Sequence, residues 1–199
     1  MNLIDEIDEY LKNNLSEKRY KHCVRVMQRA EELAKIHGED VEKAKICGLA
    51  HDIAKEMSPK ETFEYIKHNK IRIDKVERKN VKLLHGKIGA DIVKKKFGFS
   101  DDMQKAIEYH TTTNPKMDNL AKIVYIADKT EDGRSSVNYK IDYERELANK
   151  DLDKALIFII EESVTHLFEK GRLVHPKCIE TRNRIITKMN KKEKRNNEC

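Results

Sequence analysis

Apolar residues recur at intervals of three and four along most of this 199-residue chain, which is the spacing of one face of an α-helix. No stretch alternates apolar and polar residues for long enough to predict a β-strand. Capping signals divide the helical pattern. Gly38 and Gly98 end two of the runs, and Ser58-Pro59-Lys60-Glu61 has the sequence of a capping box with proline in the first turn. The sequence therefore predicts an all-α fold, a bundle of about seven to nine helices.

Individual helices follow from these runs and caps. Residues 69–80 are strongly charged and are predicted to be a surface connection with one helical turn, and residues 131–136 a polar loop. The predicted helices are residues 3–15 and 16–37, a helix after Asp40 that carries His51 and Asp52, a helix from Ser58, one that ends before Gly98, one that ends at His110, one that ends at Lys129, and the helices 152–168 and 176–189.

The composition fits one helical domain with a heavily charged surface. Apolar residues are 38% of the chain, charged residues are also 38%, and the formal net charge is +6. The length favours a single domain, which we place at residues 1–190, followed by a basic tail at residues 191–199. The positive excess suits a partner rich in phosphate, although a solvated tail is the ordinary interpretation. It gives no strong signal for nucleic acid.

Several features predict the compartment. The four cysteines, at positions 23, 47, 178 and 199, form no Cys-x-x-Cys pair, so neither a zinc finger nor a disulfide framework is indicated. The N-terminus is acidic and lacks the basic start and apolar run of a signal peptide. The longest apolar run, residues 155–160, is too short to span a membrane. We predict a cytoplasmic protein without a membrane partner and leave its oligomeric state open, with a homo-oligomer as one alternative.

Six histidine and aspartate residues share one setting, at or beside the apolar face of a predicted helix near its end. Any one of them alone is better explained by an ordinary hydrogen bond to backbone or solvent. Their number, order and type together favour a metal site, because imidazole and carboxylate without thiolate suit iron(II), manganese, zinc or nickel. The six residues are His22, His51, Asp52, His85, His110 and Asp128.

Six ligands exceed the three that one catalytic zinc ion takes from a protein. They suit two ions about 3.5–4 Å apart that share a carboxylate, for which Asp52 is the candidate. Such a site activates water near neutral pH for attack on phosphorus. The sequence therefore predicts a phosphohydrolase with two divalent ions, and we expect iron first, with manganese, zinc and nickel as alternatives.

His22, the pair His51-Asp52 and Asp128, in this order, resemble the H…HD…D signature of the HD-domain phosphohydrolases. His85 and His110 look like the additional ligands of the subgroup with two metals. Longer phrases over residues 18–187 are most similar to the YqeK-like proteins, which hydrolyse diadenosine tetraphosphate symmetrically. These phrases are residues 21–26, 49–55, 84–90, 109–112, 126–129, 133–134 and 175–183. The chain departs from the family's usual residues at Cys23, Ala50 and positions 129–132.

This resemblance implies an HD-type helical bundle and a site that cleaves diadenosine tetraphosphate to two ADP. His51, Asp52 and Lys55 are then the expected catalytic group. Lys55 lies one turn after the pair, where it either pairs with Asp52 or holds a phosphate oxygen. ADP is a stable leaving group, so electrostatic stabilisation matters more than a general acid, and we assign none. The other expected substrate contacts, each with a surface role as its alternative, are Arg25, Lys87, Thr111, Thr112, Arg134, Thr181 and Arg182.

Two alternatives stay open from the sequence. Another nucleotide phosphohydrolase of the same class, acting on guanosine alarmones, deoxynucleotides or other dinucleoside polyphosphates, would use the same metal ligands. A helical regulator that binds nucleic acid through the basic tail belongs to a different class. Against that second alternative, only 6% of the residues are aromatic, which leaves few side chains on which bases could stack.

Overall fold

The computed structural model of this chain describes residues 2–134 and 140–197. Within these ranges it contains eleven α-helices, one short 3-10 helix and no β-strand. The all-α prediction is confirmed, and the helix number is slightly above the predicted range. The helices are α1 (Leu3–Asn14), α2 (Glu17–His37), α3 (Val41–Ala50), α4 (Pro59–His68), α5 (Lys75–Lys79), the 3-10 helix (Val81–Leu83), α6 (His85–Phe97), α7 (Asp101–Tyr109), α8 (Asn119–Thr130), α9 (Lys140–Lys150), α10 (Leu152–Glu169) and α11 (Pro176–Asn197).

The predicted caps form as expected. The Ser16 and Asp40 side chains accept from the backbone N–H groups three residues later, and Ser58 forms the predicted capping box with Glu61. Gly38 and Gly98 follow their helices with φ of 68° and 65°, a left-handed conformation that glycine adopts without steric cost. The capping signals in the sequence therefore identify the start or end of α2, α3, α4 and α6 correctly.

Three helices differ from the prediction. α9 was not predicted, because its eleven residues have few apolar members and bury only Ile141 and Ala148. α11 continues to Asn197 instead of ending at Met189, since lysine, arginine and glutamate are good helix formers even without an apolar stripe. α3 ends at Ala50, so His51 and Asp52 lie in the following turn and not in the helix. In that turn the backbone bonds join residues three apart, such as Lys55 N–H to the Asp52 carbonyl at 2.9 Å.

The core lies between α2, α3 and α8, which carry the residues that hold the candidate site. The side chains of Ile123, Ile126 and Ala127 in α8 are completely buried. α2 and α3 approach closely at Gly48. A Cβ atom there would lie 2.9 Å from the Met27 Cα, which is backbone and has little freedom to move. Glycine at this position therefore sets the distance between two helices of the core.

The C-terminal helix α11 packs against α10 through its first half, and residues 191–195 at its other end are exposed. Its last turn is basic, with Lys194 and Arg195. The division into a domain of residues 1–190 and a basic segment of residues 191–199 stays a proposal. No helix in the described ranges is both long enough and apolar enough to cross a lipid bilayer.

Replacing Gly48 with alanine should destabilise the fold, because the new methyl group meets backbone atoms of α2. We expect the free energy of unfolding to fall by about 1–3 kcal/mol, as for other overpacked positions. Urea denaturation followed by circular dichroism measures the change. Glu42→Ala on the exposed side of the same helix is the control and should change the free energy by less than about 0.5 kcal/mol. Equal stability of both variants would contradict the packing argument.

Candidate metal centre

Six side chains from separate parts of the chain converge at the centre of the helical bundle. One comes from α2, two from the turn after α3, one from the first residue of α6, one from the residue after α7 and one from α8. All six are buried. The six are the predicted metal ligands His22, His51, Asp52, His85, His110 and Asp128. The structure therefore brings the whole predicted ligand set together.

Asp52 lies between the four imidazoles. Its Oδ1 atom is 3.1 Å from Nε2 of His85 and 3.4 Å from Nε2 of His110. Its Oδ2 atom is 3.4 Å from Nε2 of His51 and 3.8 Å from Nε2 of His22. One carboxylate oxygen thus faces each pair of histidines, which is the arrangement expected of a bridging ligand.

Asp128 completes one side of the cluster. Its Oδ1 atom is 3.1 Å from Nε2 of His22 and 3.7 Å from Nε2 of His51. His22, His51 and Asp128 therefore form a set of three potential ligands whose atoms lie within 4.8 Å of one another. A second such set, His51, Asp52 and His110, shares His51 with the first.

The imidazole tautomers follow from the second ring nitrogen of each histidine. In three of them Nδ1 lies against a backbone carbonyl three residues earlier, and a carbonyl can only accept. Nδ1 therefore carries the proton, and the Nε2 lone pair faces the cluster. Carbonyls in the last turn of a helix lack helical partners, so they are free for this role. The pairs are His51 with Gly48 at 2.7 Å, His85 with Lys82 at 2.6 Å and His110 with Ile107 at 2.6 Å.

His22 is oriented differently, because it lies inside α2, where the helix uses the backbone carbonyls. Its Nδ1 lies 3.2 Å from Oε1 of Glu131. Glu131 is buried, and its other oxygen accepts from Arg25 Nε at 2.5 Å and from the Gly133 N–H at 2.5 Å. Burial alone would raise the pKa of Glu131, but these donors outweigh burial and lower that pKa. A charged carboxylate therefore orients the Nε2 lone pair of His22 towards the cluster.

The cluster fits a bound cation. His85 and His110 place their Nε2 atoms 3.0 Å apart, and both atoms carry lone pairs by the tautomer argument. Burial lowers the pKa of His110 to about 4, so this imidazole is neutral at neutral pH. The buried Nε2 atoms of His22 and His51 and the Oδ1 atom of Asp52 have no hydrogen-bond partner, whereas Nε2 of His85 lies 3.1 Å from Lys55 Nζ. Lone pairs that converge in a buried space repel one another unless a cation lies between them.

The two aspartates are charged in this environment. Asp52 accepts a hydrogen bond from Arg19 Nη1 at 2.8 Å, and this cation favours its charged form. The pKa of Asp128 is held well below its usual range, with the charge of Lys129 as the main cause that opposes burial. Two buried carboxylates and four imidazole lone pairs make a nitrogen and oxygen donor set suited to divalent transition metals.

Two of the predicted substrate-binding residues contact the cluster. Lys55 Nζ lies 3.1 Å from Nε2 of His85 and 3.5 Å from Oδ1 of Asp52. Arg134 donates from Nη2 to Oδ1 of Asp128 at 2.9 Å and from Nε to its carbonyl at 3.0 Å. Both side chains are partly exposed, so each can reach a molecule bound at the centre.

The other predicted substrate-binding residues have partners outside the six-residue cluster. Arg25 pairs with Glu131, and Thr112 is buried beneath Cys178, whose Sγ lies 3.3 Å from the Thr112 carbonyl. The remaining contacts are Lys87 to Glu77 at 2.7 Å, Thr111 to the Leu83 carbonyl at 3.4 Å, Thr181 to the Lys177 carbonyl at 2.7 Å and Arg182 to Glu161 at 2.6 Å. Their roles in substrate binding stay predictions.

Sequence reasoning missed three residues at this site. Arg19 donates to Oδ2 of Asp52 at 2.8 Å, and Lys129 donates to Oδ2 of Asp128 at 2.8 Å. Glu131, which orients His22, was counted only as part of a segment that departs from the family. Their spacing offered a signal, since Arg19 is one helical turn before His22 and Glu131 is three residues after Asp128.

A second group of potential ligands, Asp74, Glu77 and His175, is satisfied by hydrogen bonds. Nδ1 of His175 accepts from the Lys177 N–H at 3.2 Å, so Nε2 carries the proton and donates to Asp74 at 2.6 Å. Glu77 pairs with Lys87. Both ring nitrogens of His175 therefore have a hydrogen-bond partner, in contrast to those of His22 and His51 in the first cluster. This second group is explained as a structural link between α5 and α11.

Comparison with known proteins identifies the class. The HD domain family matches residues 19–133, which is more than half of the chain and includes all six clustered residues. This chain therefore belongs to the HD-domain family, whose members are metal-dependent hydrolases. The predicted resemblance is confirmed.

Two enzymes of known name and one solved structure are similar to this chain over most of its length. The symmetrical bis(5'-nucleosyl)-tetraphosphatase of Bacillus subtilis (strain 168) is 36% identical over 178 residues, which cover 89% of this chain and 94% of that protein. The enzyme of the same name from Halalkalibacterium halodurans is 32% identical over 184 residues, which cover 89% and 94%. A crystal structure of an HD superfamily hydrolase from Clostridium acetobutylicum, described as involved in NAD metabolism, is 41% identical with a TM-score of 0.88, covering 92% of this chain and 97% of that one.

Metal affinity should depend on the carboxylate of Glu131 more than on the volume of the Glu131 side chain. Glu131→Leu removes the acceptor for His22, and we expect metal affinity to fall by roughly 10–100-fold, as for other outer-shell partners. Glu131→Gln keeps an oxygen that can accept from Nδ1, so its loss should be smaller. Calorimetric titration with Mn²⁺ measures affinity, and ¹⁵N NMR of the metal-free protein reports the His22 tautomer. Glu64→Leu, at an exposed position of α4, is the control. Unchanged affinity in Glu131→Leu would contradict this role.

Proposed function

We propose that this protein hydrolyses diadenosine tetraphosphate symmetrically to two molecules of ADP. The observation that carries the proposal is the convergence of four imidazole lone pairs and two charged carboxylates on one buried centre. The near full-length similarity to symmetrical bis(5'-nucleosyl)-tetraphosphatases supports this substrate. It favours neither another HD-type nucleotide phosphohydrolase nor a regulator that binds nucleic acid.

The centre is proposed to hold two divalent ions, with iron as the first candidate and manganese, zinc or nickel as alternatives. His22, His51 and Asp128 would hold one ion, and His85, His110 and Asp52 the other, with Asp52 facing both sets. Divalent ions in such a site supply activation of water near neutral pH and neutralisation of phosphate charge. The carboxylate between the two histidine pairs supports this assignment.

The residues of the chain itself are proposed to bind and orient the phosphates. Lys55 and Arg19 lie beside Asp52, and Lys129 and Arg134 lie beside Asp128. Phosphate oxygens near the centre would accept hydrogen bonds from these partly exposed cations. Such donors stabilise the charge that develops as the central phosphoanhydride bond breaks, and ADP leaves without needing a proton from a general acid.

The other substrate contacts are proposed at lower priority, because the partner of each residue lies outside the six-residue cluster. Lys87 and Arg182 would have to exchange Glu77 and Glu161 for phosphate. Thr111 follows His110 directly, Thr112 is buried, and Thr181 is buried in α11. Arg25 holds Glu131, which gives it a role in orienting His22 whether or not it reaches the substrate.

We also propose a cytoplasmic location. In the described part of the chain Cys23, Cys47 and Cys178 are all unpaired, and Cys23 and Cys47 are buried. Unpaired buried thiols are common in a reducing compartment, where disulfides are rare. This supports the location predicted from the sequence.

The reaction products test the function directly. Incubation of the purified protein with diadenosine tetraphosphate and iron(II) or Mn²⁺ should give ADP as the only nucleotide product, separated by anion-exchange chromatography. His51→Ala should lose both bound metal and turnover, whereas His68→Ala, at an exposed position, should keep both. AMP and ATP as products would refute symmetrical cleavage.

Lys55 can be tested separately from the metal ligands. Lys55→Gln removes a cation that can hold a phosphate oxygen, and we expect kcat/KM to fall by roughly 100-fold, the effect of losing one donor to a developing negative charge. Bound metal, measured by mass spectrometry, should stay within twofold of the unmodified protein. Lys60→Gln, exposed in α4, should leave both quantities unchanged. A normal kcat/KM in Lys55→Gln would assign Lys55 to the ion pair with Asp52 alone.

A further inference from the structure

Two cavities lie beside the metal centre, formed by different parts of the fold. The first, of about 320 Å³, lies among the turn after α3, the start of α4 and the 3-10 helix. The second, of about 420 Å³, lies among α8, α10 and α11. Among the described residues they have no lining residue in common. Both volumes are within the range of sites that bind small molecules.

Each cavity reaches the centre through a lysine that pairs with one of the two aspartates. Lys55 lines the first cavity and lies 3.5 Å from Oδ1 of Asp52. Lys129 lines the second cavity and lies 2.8 Å from Oδ2 of Asp128. Each cavity therefore has a cation at its inner end, next to a different carboxylate of the same cluster.

The first cavity combines apolar walls with further positive charge. Met57, Pro59 and Val81 are part of its wall, and Arg19 and Lys82 add cations. A nucleoside phosphate needs this combination, because its base packs against apolar side chains while its phosphates bind cations.

The second cavity also combines apolar surface with a cation, Lys129, and its lining includes the carboxylate of Glu162. Ile160, Val164 and Leu167 supply apolar surface, and Ser163 supplies a hydroxyl group. The Lys129 ammonium lies 5.7 Å from the centre of the Tyr125 ring at its inner end. Binding of a metal by the six clustered residues does not require this apolar cavity. A substrate with only one nucleoside would not require it either, because the first cavity would be enough.

We propose that the second cavity is a nucleoside subsite, so that each cavity binds one nucleoside of a dinucleoside tetraphosphate. This inference rests on the proposed function. The tetraphosphate then passes Lys55 and Lys129 and places its central P–O–P bond at the metal centre. Hydrolysis adds one water across that bond: the water oxygen bonds to one phosphorus, the bridging oxygen leaves with the other phosphate, the released proton passes to solvent, and one ADP remains in each cavity. Two nucleoside subsites, each reached past a lysine next to the centre, therefore account for symmetrical cleavage.

In a protein with one nucleoside subsite, the distance between that subsite and the metal centre would alone determine which P–O–P bond is cleaved. It would bind one ADP per chain, whereas the proposed arrangement binds two. The number of ADP molecules bound is independent of turnover, so it tests the second subsite even if the proposed reaction fails.

Equilibrium dialysis of radiolabelled ADP with the Mn²⁺-loaded protein measures this number. We expect two ADP per chain for the unmodified protein and one for Ser163→Phe, which fills the second cavity. The matched control Thr165→Phe, at an exposed position of the same helix, should keep two. Leu167→Trp, which also fills this cavity, repeats the test if Ser163→Phe does not fold.

The kinetic effect should agree with the binding result. For Ser163→Phe we expect kcat/KM for diadenosine tetraphosphate to fall at least tenfold, with an unchanged value for Thr165→Phe. One ADP per chain in the unmodified protein, two in the folded Ser163→Phe variant, or loss of both sites in that variant would each overturn the second subsite. Two bound ADP without production of ADP from diadenosine tetraphosphate would instead contradict the proposed function and leave the subsite standing.

Discussion

The surrounding structure has to hold together a group of buried lone pairs that repel one another, and this is the main constraint on the fold. Asp52 is surrounded by four imidazoles, and His85 and His110 place unprotonated nitrogens 3.0 Å apart. A buried polar atom without a partner costs about 1–3 kcal/mol. The six side chains are held in position by their surroundings, which are the buried faces of α2, α3 and α8. A bound cation would turn this local cost into a stabilising contribution.

Helix ends explain how a bundle can build such a centre. His51 and His110 directly follow α3 and α7, where free carbonyls one turn earlier accept from Nδ1. His22 lies inside a helix and has no such carbonyl, so Glu131 takes that role. Glu131 is in turn fixed by Arg25, which lies so close to Gly133 that any side chain there would collide with it. The loop after α8 therefore contributes to the tautomer of a residue in α2.

The sequence predicted the all-α fold, because helical spacing and caps are local properties. It also selected the six residues that converge at the centre, and their role as metal ligands stays a prediction. It did not predict that His51 and Asp52 leave the helix, since the turn depends on bonds between residues three apart that have no distinct composition. α9 was missed because it buries few side chains. The spacing of Arg19 and Glu131 places them near His22 and Asp128, but their contacts join α2, the turn after α3 and the end of α8, and such long-range contacts are not visible in the spacing. Lys129 is adjacent to Asp128 in the chain.

The cations around the centre form two pairs, one beside each aspartate, and this arrangement matches a substrate with two equal halves. Arg19 and Lys55 pair with Asp52, whereas Lys129 and Arg134 pair with Asp128. Phosphates that approach one aspartate meet two cations, and phosphates that approach the other aspartate meet two more. A centre that binds a single phosphate group would need cations beside one aspartate only. Because the positive charge is divided between both carboxylates, phosphate groups that bind beside either aspartate would meet cations, as the proposed polyphosphate substrate requires.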